Sequence, residues 1–94
     1  MSFEILYTKA AVKDIPKLKE AGLDAKALAL IEILKSNPFK NPPSYEKLTG
    51  NLSGAYSRRI NIKHRLIYQV YMKEQTVKIL SMWVISQKKN TFLR

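Results

Sequence analysis

Cysteine is missing from the 94 residues, and histidine occurs once, at His64. The first absence excludes disulfides and thiolate chemistry. The second leaves too few ligands for a zinc site, so neither a metal nor a cofactor is expected. No stretch approaches the roughly 20 apolar residues that span a bilayer. The opening MSFEILYTKA has no basic segment followed by an apolar run, and so is not read as a signal peptide. A soluble, cytoplasmic protein with no membrane partner is the expectation. Acid is scarce in one half of the chain. Residues 47–94 hold ten Lys/Arg and a single acid, Glu74, a net of +9, whereas residues 1–46 hold seven Lys/Arg and six Asp/Glu, a net of +1. So lopsided a field costs self-repulsion and attracts a polyanion.

At 46% hydrophobic and 26% charged, the chain has the composition of a folded protein. Its length leaves room for one core, so residues 1–94 are expected to form a single domain with an atypical tail from about residue 86. Phe3, Ile5 and Tyr7 alternate as in a short strand. Thr8 is placed to cap a helix running to Glu20, with Ala11, Ile15 and Leu18 on one face. Pro16 removes the bond to the Val12 carbonyl, which predicts a kink or break. Gly22 ends that helix and Asp24 is expected to cap the next. Ala27, Leu30, Ile31 and Leu34 form the clearest helical stripe, and the helix should stop near Ser36, since Asn37 precedes Pro38. NPFKNPPSY reads as a surface connector, YEKLT as a short strand and GNLSG as a turn. Strands follow at about 55–61, 65–72 and 76–84, with the last two joined through MKEQT. The tail SQKKNTFLR is expected to fray or form a short helix. The class is α+β: an N-terminal strand, two helices, then an antiparallel sheet with the helices on one face.

Side-chain alternation fixes the expected pairing. Leu66, Tyr68, Val70 and Met72 share a face with Tyr56 and Ile60 if Ile60 pairs with Leu66. Arg59 and Arg65 then lie together on the opposite, open face. Pairing Arg65 with Ile60 instead would bury an unpaired guanidinium, at too high a cost. Two adjacent arginines repel, and are tolerable where an anion visits. Glu46 is the only acid between Glu32 and Glu74. Among so many cations it is either a poised proton acceptor or simply a neutralising partner.

YEKLTGNLSGAYSRRINIKHRLIYQV, residues 45–70, resembles the YoeB/Txe branch of the RelE-type toxins, bacterial mRNA endonucleases encoded beside an antitoxin. Glu46, Leu48, Leu52–Gly54, Tyr56, Ser57–Ile60 and His64–Tyr68 match the family pattern without a gap, and the likeness runs from residue 3 to about 83. It implies a RelE-like, microbial-ribonuclease-like fold and a toxin that cuts mRNA on the ribosome, held by a cognate acidic antitoxin. It also implies roles. Glu46 matches the general base for the ribose 2′-hydroxyl, Arg65 the arginine that stabilises the phosphorane-like transition state, and Arg59 a phosphate contact. Arg58, Lys47 and Lys63 complete the expected RNA-binding set. Trp83 is a candidate stacking face for a base, against the plainer reading of a core tryptophan. His64 matches the histidine of HRL, to which a turn or structural role is assigned.

The family's closing His-Tyr is replaced. After Trp83 stand Ile85 and Ser86, neither of which protonates a leaving group at neutral pH. The expectation is an mRNA endonuclease, attenuated by its ending unless another group, His64 or a lysine, supplies the proton; the alternative is an inactive homologue that binds RNA or antitoxin.

Overall fold

The computed structural model describes residues 2–85. The expectations for the tail lie outside these residues. Strand β1 (Glu4–Tyr7) leads into α1 (Lys9–Glu20) and α2 (Asp24–Ser36), followed by β2 (Glu46–Lys47), a single 3₁₀ turn (Gly50–Leu52), β3 (Ala55–Arg59), β4 (His64–Tyr71) and β5 (Thr76–Ile85). The five strands form one sheet in the order β1-β5-β4-β3-β2. The expected meander is antiparallel, but β1 joins β5 in parallel, so the sheet is mixed.

Local chemistry accounts for the helix ends. Thr8 Oγ1 accepts from the Ala11 amide at 3.1 Å and donates to the Leu80 carbonyl at 2.8 Å, so one hydroxyl caps α1 and ties it to β5. α1 runs unbroken through Pro16, which is exposed. Val12 is exposed too, so the carbonyl that Pro16 deprives of a donor lies on the solvent side of the helix. Gly22, at φ 71°, closes α1, with the Leu23 amide donating back to the Leu18 carbonyl at 2.8 Å. Leu23 is drawn into the core by that closure and takes the cap position of α2. Asp24 is therefore not the cap. It is the first helical residue, where its charge complements the helix dipole.

The main core lies between the helices and one sheet face, where Leu18, Ala27, Ile31 and Leu34 meet Leu66, Tyr68, Val77 and Ile79. Ile15 is partly exposed, and Asp14 takes the buried position next to it. A bulge in the β4–β5 ladder accounts for this, because the buried Asp14 carboxylate accepts from the Met82 amide at 2.8 Å. A smaller cluster, Leu48, Ala55 and Ile67 with Leu52, Leu80 and Val84 against it, covers part of the other face, which had been expected to stand open.

The β3–β4 register departs from expectation by two residues. Arg58 pairs with Leu66 and Arg59 with Arg65; the Ile60 and Asn61 amides both reach the His64 carbonyl. Asn61 sets this, since its side-chain oxygen accepts from the Lys63 and His64 amides and closes the loop early. A shift of two preserves which side each residue faces.

Candidate active site

On β3, Ser57 and Arg59 face away from the helices and Arg58 faces toward them. On β4, Arg65 shares the side of Ser57 and Arg59. The edge strand β2 brings Glu46 opposite Ser57. Three side chains then converge. One terminal nitrogen of Arg65 donates to Glu46 Oε1 at 3.1 Å and to Ser57 Oγ at 2.9 Å. The Arg65 side chain is 7% exposed and that of Glu46 62%. The guanidinium is thus held in place, while the carboxylate stands where a substrate can reach it. Arg59, directly across from Arg65, is exposed.

The remaining candidates divide. Lys63 is exposed in the loop beside the Arg59–Arg65 pair. Lys47 pairs with Tyr56, and the pleat turns it away from Glu46 toward the helix side. Arg58 does not join this face. It is buried at 1% exposure. Its guanidinium donates to the Tyr68 hydroxyl and to the carbonyls of Pro43, Lys40 and Pro38, at 2.7–3.1 Å. It also lies over the Tyr45 ring, 5.0 Å from the centroid. The parity that placed Tyr56 and Ile60 in the core required the same of Arg58. The carbonyls that satisfy it lie fifteen to twenty residues upstream, beyond the reach of any local pattern.

His64 and Trp83 are also on the helix side. Their rings stack at 4.0 Å, and Trp83 packs against the main core. His64 is buried, and its Nδ1 has no hydrogen-bond partner among the described residues. Sequence reasoning gave Ser57 no role. The available signal was its alternation with Arg59, which puts a hydroxyl on the same side as both arginines.

Burial pushes the Tyr68 phenol above its usual 10, and the neighbouring Arg58 partly offsets this. No cluster of His, Asp and Glu suited to a metal ion occurs among the described residues. No helix among them is long and apolar enough to cross a membrane.

Chemically, the face offers an accessible carboxylate able to take a proton, a fixed guanidinium able to meet negative charge, and a second arginine within reach of the same anion.

Comparison with known proteins identifies the family of the chain. The model of the YoeB-like toxins of bacterial type II toxin-antitoxin systems matches residues 7–84. A Toxin YoeB from Synechocystis is 46% identical over 41 residues, covering 44% of this chain and 48% of the relative. One from Streptomyces coelicolor is 48% identical over 40 residues, 43% of this chain and 48% of the relative. The chain thus spans about half the length of the curated relatives it matches. Among solved structures, the Staphylococcus aureus YoeB-YefM complex superposes with a TM-score of 0.74 at 30% identity, covering 89% of this chain and 98% of that one. The YoeB/ParE toxin of Agrobacterium tumefaciens gives 0.77 at 26% identity, over 86% and 96%. The archaeal RelE-RelB complex of Pyrococcus horikoshii gives 0.71 at 27%, over 88% and 94%.

Proposed function

The chain belongs to the YoeB-like toxins of bacterial type II toxin-antitoxin systems, and from that premise we propose that it is a ribosome-dependent mRNA endonuclease that inhibits translation in the cytoplasm. The observation that carries the proposal is the contact between an accessible Glu46 carboxylate and a buried Arg65 guanidinium at 3.1 Å. Glu46 takes the proton of a ribose 2′-hydroxyl, whose oxygen forms a bond to the adjacent phosphorus. The phosphorane-like transition state carries its charge between Arg65 and Arg59. The bond from phosphorus to the 5′-oxygen then breaks, and that oxygen takes a proton. The products are a 2′,3′-cyclic phosphate and a 5′-hydroxyl.

The leaving oxygen is where this chain differs from its family, because Ile85 and Ser86 occupy the positions of the closing His-Tyr. Loss of a general acid slows such a step by about 10²–10⁴-fold. His64 is no replacement in the arrangement described, since its ring stacks on Trp83 on the other side of the sheet. That stacking favours the second reading, a homologue that keeps the binding surface and cuts slowly or not at all. YoeB is solved with YefM and archaeal RelE with RelB. By extension, the partner of this chain is a cognate antitoxin, acidic enough to neutralise the basic face and partly disordered until it binds.

The test is cleavage of mRNA on programmed ribosomes by three proteins: the unmodified chain, Glu46→Gln, and the double variant Ile85→His/Ser86→Tyr. The proposal expects slow cutting that leaves cyclic-phosphate ends, a rate about 10²–10⁴-fold lower from Glu46→Gln, and faster cutting from the double variant. No cutting by any of the three contradicts it.

A further inference from the structure

Glu46 belongs to a strand of two residues at the edge of the sheet, and its side chain is largely exposed. The chain reaches it through residues 37–45, which contain no helix or strand. Such a segment does not hold a carboxylate beside a guanidinium by itself. The buried Arg58 fork binds the carbonyls of Pro38, Lys40 and Pro43 along that connector, and its guanidinium carbon lies over the ring of Tyr45, the residue before Glu46. Tyr68 completes the set by donating its hydroxyl to the Pro38 carbonyl at 2.9 Å while accepting from Arg58. Tyr45 also meets the rings of Phe39 and Tyr56.

We propose that Arg58 is a positioning residue that acts through the connector to keep Glu46 against Arg65. Consecutive residues of one strand then hold the two halves of the site from opposite sides of the sheet. Ser57 fixes the guanidinium of Arg65, and Arg58 fixes the segment that delivers the carboxylate. A guanidinium suits this task because it presents several donors in a rigid plane to carbonyls spread over six residues, while stacking on an aromatic ring. The consequence for cleavage rests on the function proposed above; the clamp itself does not.

The test is Arg58→Lys, which keeps the charge and loses the fork. Two readouts separate the claims. The first is amide hydrogen exchange at Leu48, whose N–H donates to the Ala55 carbonyl at 3.0 Å and reports whether β2 stays docked. It should exchange faster in the variant, while amides of Tyr68 and Ile79 in the central strands are unaffected. The second is single-turnover cleavage, which should fall roughly tenfold to hundredfold in the native background and little in the Glu46→Gln background. Unchanged exchange at Leu48 overturns the clamp, whatever the activity. Equal losses in both backgrounds overturn the route through Glu46. An unmodified chain that does not cut bears on the proposed cleavage and not on the clamp, which exchange at Leu48 then decides alone. If Arg58→Lys does not fold, Tyr68→Phe removes one hydroxyl of the same network and should give both effects in smaller measure.

Discussion

At the scale of residues, the site depends on three neighbours with different tasks: Ser57 and Arg59 on one side of β3, Arg58 on the other. Ser57→Ala removes an acceptor from a buried cation. Hydrogen bonds to charged groups contribute about 1.5–3 kcal/mol, so cleavage should fall by about tenfold or more. Glu46→Gln is expected to cost no more than about 1 kcal/mol in urea unfolding, because the amide oxygen still accepts from Arg65, Ser57 keeps its bond to the guanidinium, and the replaced carboxylate is itself exposed. Arg58→Met removes the donor from the Lys40 and Pro43 carbonyls and leaves the Pro38 carbonyl with the Tyr68 hydroxyl alone, and should cost about 3 kcal/mol by the same measurement. Tyr68 carries a pH dependence. Its phenol is pushed up by burial, so the unfolded chain ionises first as pH rises past about 10. Stability is full below that point and falls toward the raised folded value. Tyr68→Phe should remove this component from the alkaline limb of the unfolding profile. The shared face of Arg59 and Arg65 is legible from alternation, and Glu46 stands out in the sequence as a lone acid among cations. The place of Arg58 was not, because cost arguments against a buried guanidinium assume it is unpaired, and its partners come from a distant connector.

At the scale of elements, the first helix and the β3–β4 hairpin show what a pattern resolves. Thr8 as cap, Glu20 as end and the Ala27–Leu34 stripe depend on spacing within a few turns, and the structure has all three. The burial of Asp14 is not legible from helical spacing, because it depends on a bulge sixty-eight residues away. The register of β3 with β4 was expected two residues from its actual place, since Asn61 closes the loop through side-chain acceptance that alternation does not register. The side each arginine faces survived that difference. Pro16 is tolerated on the exposed face of α1, but it still lacks a donor for the Val12 carbonyl. Replacement by alanine is therefore expected to raise stability by about 1–3 kcal/mol in urea unfolding.

At the scale of the whole molecule, helices cover one side of the sheet and a small second cluster braces the other, leaving a basic face beside the edge strand. The parallel pairing of β1 was not legible, because it joins the two ends of the chain and no local alternation encodes it. Arg59, Arg65 and Lys63 form the part of the +10 net charge that serves this face. With about three phosphate contacts, binding to single-stranded RNA should weaken with salt at a log–log slope of about −2. Titration of RNA binding across salt concentrations checks this, and a flat response would remove the phosphate-binding role.

The central claim is that this face cuts RNA with Glu46 as its base. The most direct measurement is the single-turnover rate of mRNA cleavage on programmed ribosomes, native chain against Glu46→Gln, with protein bound to saturation. A measurable native rate is expected, with a loss of about 10²–10⁴-fold in the variant. Equal rates for the two proteins would contradict it.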